Sequence, residues 1–407
     1  MNVLHFAHSF VPEYGGTTTR ILNLLRDKEN THYLYVPMPT KLKNFESVPE
    51  NESIRNFKVR RHRVLKLPPF DGFLRYTATR MTDTVRDGSI DIVHAHNPPT
   101  CIWAGLILAR KLGCPFVCEI HRLTFDSFAD GRRHNWPAWW DEAIGSLIRR
   151  QLKEPFKVAN AIVAQTKMHH KRLLEVMDIE KDRIHVIPMG VDNRLFAPDR
   201  WRQEGQKIRT KKGWQDKVVF MYNGFLDETN GIHLFLQALL QMPRDLHDRM
   251  RAVILGRGPL ADSVKQHARL SSGLIQYLGL VDYYRVPAYY AACDVVVVPV
   301  LRTRVWDANN PTKMMEGMAM EKVVLGSHVR GVTDVLDNEQ TGLTFCPDDI
   351  RDLQRQMFRL TNNIKSFRYL GRAARQIVAQ RRCWSRSRKA LKRVYHEVRN
   401  QRVGEYS

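Results

Sequence analysis

The chain has 407 residues, 43% of them apolar and 26% charged, a balance that excludes a disordered chain. Single cores stop growing near ~250–300 residues, so two domains are expected. The formal charge of +22 suggests anionic partners, yet sixteen Lys/Arg against three Asp/Glu fall from Arg351 onward, which concentrates the excess in one terminal stretch.

No apolar run approaches the ~20 residues of a spanning helix, the longest being 101–109 and 295–301. The chain opens on Val3-Leu4-His5-Phe6-Ala7 with no basic segment ahead of a longer apolar core, so a cytoplasmic location is expected. Six cysteines, at 101, 114, 118, 293, 346 and 383, lack zinc-ligand spacing and read as reduced, buried thiols.

From the N-terminus one theme repeats: a short apolar strand, a loop with Gly, Pro, Asn or His, then a helical stretch. Strands are predicted at 2–8, 32–37, 59–65, 91–96, 115–121, 161–165 and 185–188, several of them near-continuous Val/Ile runs suited to a parallel sheet covered on both faces. The first loop carries Gly15 and Gly16 ahead of a helix that begins among threonines, where backbone can approach an anion or simply turn tightly. The turn Pro188-Met189-Gly190-Val191-Asp192 ends this pattern, which places the first domain at 1–188 and a linker at 189–199. Strands resume at 217–224, 252–256, 275–279, 294–299, 322–326 and 342–345, giving a second domain at 200–375. A basic helix at 376–407 is expected to cross back to the first domain. The expected fold class is α/β, two Rossmann-like doubly wound domains facing a central cleft, with function in the strand-to-helix loops.

The segment Asn310-Pro311-Thr312-Lys313-Met314-Met315-Glu316-Gly317-Met318-Ala319 is the most informative. Pro311 suits a helix start, so the N–H groups of Thr312, Lys313 and Met314 would face a diphosphate at the helix's positive end. Glu316, one turn further on, is placed to accept from both hydroxyls of a ribose, the alternative being a solvated first-turn glutamate. His121, at the C-terminal end of a strand, faces the predicted cleft, with a backbone-bonded core histidine as the alternative. The stretch Arg132-Arg133-His134-Asn135-Trp136-Pro137-Ala138-Trp139-Trp140 fits a membrane interface, a sugar-stacking acceptor site or an aromatic core under a loop. The tail from Arg381 to Lys389 reads as a solvated helix face, and the chain has no helix-turn-helix, zinc-finger or RNP signature to support nucleic-acid binding.

In order and spacing, Asp91-Ile92-Val93-His94-Ala95-His96, Glu119-Ile120-His121, Ile187-Pro188-Met189-Gly190-Val191-Asp192, Leu255-Gly256-Arg257-Gly258-Pro259 and Pro311-Thr312-Lys313 with Glu316-Gly317-Met318-Ala319 resemble the retaining glycosyltransferases of family 4, which have the GT-B fold. The resemblance runs from residue 1 to residue 397 and closes on Trp384, Leu391 and Val394-Tyr395. It implies transfer of a sugar from a nucleoside diphosphate sugar to a hydroxyl of a glycan or lipid-linked acceptor, with retention at the anomeric carbon and no metal or other cofactor. It implies that Gly15 and Gly16 lie near the donor phosphates and that His121 bonds the transferred sugar. Gly224, Gly256 and Gly258 would line the nucleotide site, backbone at Leu280 and Val281 would face the base, and Glu316 would bind the ribose.

Three positions depart from the family pattern: Ala308 stands where a second glutamate is usual, and Phe225 and Asn230 where an arginine and a lysine are usual. The cation for the diphosphate is then expected from Arg257, Lys313 or, most directly, Arg302 and Arg304, which lead into the helix at Pro311. The competing classes are a scaffold relative with weakened catalysis and a basic nucleic-acid-binding protein. The tryptophans and the basic tail suggest an anionic membrane surface as a further partner, with the protein peripheral on the inner face of the membrane.

Overall fold

The computed structural model describes residues 1–27, 29–39, 48–62, 66–67, 70–71, 89–129 and 138–401. The chain divides into two compact units, Met1–Met189 with Trp384–Ser407, and Gly190–Cys383.

Unit 1 is built on strands β1 (Asn2–Phe6), β2 (Thr31–Pro37), β3 (Asn51–Ile54) and β4 (Phe57–His62), followed by a separate two-stranded ribbon of β5 (Lys66–Leu67) and β6 (Phe70–Asp71). Then come β7 (Ile92–His96), β8 (Phe116–Ile120), β9 (Ala161–Ala164) and β10 (Ile184–Val186). The sheet runs β10-β9-β8-β7-β1-β2-β4-β3. Its pairs are parallel except β3 with β4, a departure from the all-parallel expectation. β3 alternates exposed and half-buried residues, which suits an edge facing water. Helices α1 (Gly16–Leu24), α2 (Pro99–Leu112), α3 (Ala138–Val158) and α4 (Lys167–Val176) connect the strands. Pro99 opens α2 and Gly113, with φ 63°, closes it.

Successive strand residues point to opposite faces, and here the faces differ in chemistry. Leu4, Phe6, Val93, Ala95, Phe116, Cys118 and Ile120 enter the apolar core beneath α2. The alternate residues His5, His94, His96 and Glu119 are also fully buried. Their face is a polar core, which must satisfy its hydrogen bonds internally. Arg20 of α1, 0% exposed, supplies the counter-charge. Its Nε donates to Glu119 Oε1, and its terminal nitrogens donate to the carbonyls of Pro188 at 3.1 Å and Ile187 at 2.9 Å.

Unit 2 begins with α5 (Pro198–Lys212), then alternates β11 (Val218–Asn223), α6 (Ile232–Leu240), β12 (Met250–Leu255), α7 (Ala261–Leu270), β13 (Ile275–Gly279), α8 (Val286–Ala292) and β14 (Val295–Val298). It continues with α9 (Arg304–Ala308), α10 (Thr312–Ala319), β15 (Val323–Ser327), α11 (Arg330–Thr333), β16 (Leu343–Phe345) and the long α12 (Ile350–Arg381). The parallel sheet runs β13-β12-β11-β14-β15-β16. By order of appearance this is 3-2-1-4-5-6, the doubly wound order of dinucleotide-binding folds, with its switch point between β11 and β14.

The final helix α13 (Trp384–Val398) belongs to unit 1, where Trp384, Ser387, Leu391, Val394, Tyr395 and Val398 are buried at helical spacing. Arg388 donates to the Asn23 carbonyl at 2.7 Å and Lys392 pairs with Glu29, whereas Arg386, Lys389 and Arg393 are exposed. Part of the basic tail is therefore spent on its own domain. Cys346 is exposed, contrary to the expectation of buried thiols. No described helix is long and apolar enough to cross a membrane. Predicted strand residues 63–65, and 132–137 of the tryptophan-rich stretch, lie outside the described residues.

Arg20→Met would leave Glu119 as an uncompensated buried charge. Urea unfolding is expected to show a loss of about 3–5 kcal/mol, with the double variant Arg20→Met/Glu119→Gln recovering part of it. Unchanged midpoints in the single variant would contradict this account.

Candidate functional site

In unit 2 the loop after β11 and the start of α10 meet at the switch point. Lys313 and Glu316 lie one turn apart on α10, each 8% exposed, so Glu316 is not the solvated first-turn glutamate. Glu316 Oε2 lies 2.9 Å from the Tyr290 hydroxyl and 3.5 Å from Asn223 Nδ2, at the end of β11. Burial pushes its carboxyl up to about 7, against the pull of the Tyr290 hydrogen bond and of Lys313. Lys313 Nζ donates to Asn230 Oδ1 at 3.1 Å and stands 4.2 Å from the centre of the Tyr222 ring. Burial brings this amine down to about 7, although the charges of Asp227 and Glu316 work in the opposite sense.

Asn230 is itself fixed, its backbone N–H and its amide both donating to Asp227 Oδ1 at 2.8 Å. It occupies the position where the family pattern has a lysine. Lys313 brings an amine to that place from α10 rather than from the loop. Arg302 and Arg304, the expected source, are exposed on the segment that Thr303 caps into α9. Arg257 is half-buried after β12, and its carbonyl accepts from the Leu226 N–H at 2.9 Å. Ala308 is buried and Asp307 accepts from the Arg330 N–H at 3.1 Å, so neither supplies a carboxylate beside Glu316 in the described contacts.

The glycines of this region have a packing reason. A Cβ on Gly256, at φ 140°, would stand 1.8 Å from the Gly224 carbonyl oxygen, and one on Gly258 would stand 2.3 Å from that of Leu226. Leu280, just after β13, is 61% exposed and Val281 is half-buried. Pro311 caps α10, and Thr312 is half-buried at its first position. In unit 1, Gly15 and Gly16 have open space where a Cβ would stand. Their turn is held by Thr18 Oγ1 donating to the Glu13 carbonyl at 2.7 Å and by the Thr19 N–H donating to the Gly15 carbonyl at 2.9 Å.

His121 follows β8 and is half-buried. Its N–H donates to Asn97 Oδ1 at 2.8 Å, while ring Nε2 lies 3.1 Å from His96 Nδ1 and ring Nδ1 lies 3.0 Å from the Gln165 amide. It is therefore tied by side chains, not by backbone, and forms one end of a histidine string. Burial holds its pKa well below the usual histidine range, outweighing the attraction of Glu119, so the ring is neutral at pH 7. Ring atoms of His5, His94 and His96 come within 4.8 Å of one another, as do ligand atoms of His96, Glu119 and His121. Those atoms are already engaged in hydrogen bonds or ion pairs, and the Arg20 cation shares Glu119, so the cluster fits a polar network better than a cation site.

The sequence reading missed Tyr290, Asn223, Arg20, Glu119 and the buried histidines. One signal was available for the last group: histidine alternates with Val93 and Ala95 in a strand that is otherwise apolar.

Comparison with known proteins agrees with this geometry. The family model described as Glycosyltransferase Family 4 matches residues 14–195, and Glycosyl transferases group 1 matches residues 217–363. The uncharacterized glycosyltransferase MJ1069 of Methanocaldococcus jannaschii is 20% identical over 98% of this chain and 99% of its own length. Among solved structures, HepE of Anabaena in complex with UDP superposes with a TM-score of 0.74 at 16% identity, covering 98% of this chain and 100% of that one. Sucrose-phosphate synthase of Thermosynechococcus elongatus superposes with a TM-score of 0.79 at 16% identity, covering 97% and 98%. The structural likenesses establish the fold, and the family matches on the two halves establish the kind of protein. The two family models together span both halves of the chain, which belongs to the glycosyltransferases of the GT-B fold.

Proposed function

We propose that this glycosyltransferase moves a sugar to a hydroxyl acceptor with retention at the anomeric carbon, and that Lys313 and Glu316 hold its nucleoside diphosphate donor. The observation that carries the proposal is the placing of these two buried groups one turn apart at the start of α10, at the switch point of a doubly wound sheet. The Glu316 carboxylate accepts from the ribose hydroxyls. Lys313 and the first N–H groups of α10 meet the diphosphate. Leaving-group charge is then stabilised by protein groups, and no divalent ion is needed. In unit 1 the proposal assigns the Gly15-Gly16 loop to the donor phosphates and His121 to the transferred sugar. The weakened-scaffold reading rests on Phe225 and Asn230, and the amine of Lys313 on Asn230 counts against it.

HepE's structures hold UDP, glucose and UDP-glucose, so UDP-glucose is the first donor to try. Glu316 binds as a carboxylate and Lys313 as an ammonium, and each titrates at about 7 in the free protein. Donor affinity by calorimetry is therefore expected to peak near neutrality and fall on both sides. Glu316→Gln should flatten the acid limb and Lys313→Met the alkaline limb, each lowering affinity at the optimum by about 10-fold or more. A flat profile in the parent protein would refute the assignment.

Retention and metal independence are tested together. Proton NMR of the first-formed product should show the donor's anomeric configuration, and EDTA should leave the initial rate unchanged. An inverted anomer, or loss of turnover in EDTA with rescue by a divalent ion, would overturn the respective part.

A lipid-linked acceptor, with the protein peripheral on an anionic membrane, is supported by one surface feature. Trp139 and Trp140 stack at 4.9 Å and are 63% and 48% exposed at the start of α3, with Leu147 and Arg150 exposed further along. Co-sedimentation with phosphatidylglycerol-containing vesicles is expected, weakening at high salt and on Trp139→Ser/Trp140→Ser. Absence of binding at low salt would end this reading.

A further inference from the structure

In unit 2 the carboxylate of Glu316 is held by one of its two oxygens. Oε2 accepts from the Tyr290 hydroxyl at 2.9 Å and, in a long contact of 3.5 Å, from the Asn223 amide, which also donates to the Tyr290 oxygen at 3.4 Å. Oε1 makes no hydrogen bond among the described residues, and the residue keeps an 8% opening to solvent. The two oxygens therefore differ: one is committed to the protein and the other is left to receive a ligand.

Tyr290 lies on α8 and is 0% exposed, with its ring edge-on to Phe196 at 5.8 Å and the Cys293 thiol donating to its carbonyl at 3.2 Å. A phenylalanine would fill the same apolar space, so packing alone gives no reason for the hydroxyl. A buried hydroxyl needs a partner, and the acceptor nearest to this one is Glu316, the next being the Lys313 carbonyl at 3.3 Å. Burial and the charge of Glu316 push the phenol well above its usual range, so the proton stays on Tyr290 and is donated to the carboxylate. That bond pulls the Glu316 carboxyl down against the effect of burial, as does Lys313, the other charge that faces it. A glutamate left free would be ordered only when ligand binds, and the lost rotamer freedom would be subtracted from affinity. Here the side chain is ordered beforehand.

We propose that Tyr290, supported by Asn223, is a positioning residue for Glu316: it fixes the carboxylate by Oε2 and so presents Oε1 to the ribose hydroxyls of the donor. The assignment rests on Glu316 being the donor's ribose contact. Neither Tyr290 nor Asn223 has to touch the nucleotide, because both act through the carboxylate. Removing one hydroxyl group from a fully buried ring then weakens donor binding without deleting any group that meets the donor.

Two readouts on the full chain test this. In carbon NMR of protein carrying 13C-glutamate, the carboxyl signal that Glu316→Gln removes reports the ionisation of Glu316. Tyr290→Phe is expected to raise its midpoint by about one pH unit, because a hydrogen bond to the charged form is lost. Calorimetry at pH 7 uses whichever of UDP, ADP and GDP the parent chain binds most tightly. Tyr290→Phe should lower that affinity about 10-fold, but by less than about 2-fold when Glu316→Ala is already present, since the phenol then has nothing to position. Asn223→Ala should move the midpoint in the same direction by a smaller amount, and it replaces Tyr290→Phe if circular dichroism shows that variant unfolded. An unmoved midpoint in the folded variant, or an equal loss of affinity with and without Glu316, would overturn the proposal. Failure of all three nucleotides to bind, or an affinity indifferent to Glu316→Ala, would overturn the donor reading of Glu316, and this assignment with it, even where the midpoint moves as expected.

Discussion

One buried guanidinium holds the polar half of unit 1 in place. Removing a charge from water costs several kcal/mol even after relaxation, so Glu119 in the middle of a sheet is tolerable only when fully compensated. Arg20 supplies that compensation on one oxygen, and His94 and His96 surround the other. The same side chain binds the carbonyls of Ile187 and Pro188, where the chain leaves unit 1, and it rides on the helix whose first residue is Gly16. The glycine turn, the centre of the sheet and the exit of the chain are therefore positioned by one side chain. A purely apolar face would be simpler to stabilise. What it could not do is present a half-buried histidine in a defined protonation state at the end of a strand.

Unit 2 solves a different electrostatic problem. Its strand-to-helix loop has no cation of its own, and the amine arrives from α10, across 83 positions in sequence. Burial beside an aromatic ring makes that amine a weaker base than a surface lysine, and the neighbouring carboxyl a weaker acid than a surface glutamate. A pair balanced in this way carries little net charge cost while the site is empty. On the proposed function, it gains its full charge separation when a diphosphate and the ribose hydroxyls bind beside it.

Several of these features were legible in the sequence because they are local. Val295–Val298 is an uninterrupted apolar run of strand length, and Pro99 with Gly113 brackets a helix by backbone chemistry alone. Glu316 could be placed on α10 because Pro311 marks where that helix begins. β3 was not legible, since Asn51-Glu52-Ser53 carries no apolar signal and is a strand only by virtue of its neighbour β4. The reach of Lys313 to Asn230 was equally hidden, because it depends on two loops meeting in space, whereas Arg302 and Arg304 were nearer to α10 in sequence and looked the better source. The histidine string was half visible: the alternation in β7 showed a polar face, but its continuation through His5 and His32 is a matter of strand order.

The contact between the Gly224 and Gly256 backbones has a mechanical meaning. Where a side chain separates two loops, rotamer changes let one move and leave the other still. Here the carbonyl of one loop occupies the volume that a methyl group on the other would need, and the Leu226 and Gly258 backbones repeat the arrangement two residues further on. No compliant layer remains between them. The two loops behave as a single stiff plate, so any local adjustment must be made by tilting that plate on its strands or by α10, the element that carries Lys313 and Glu316.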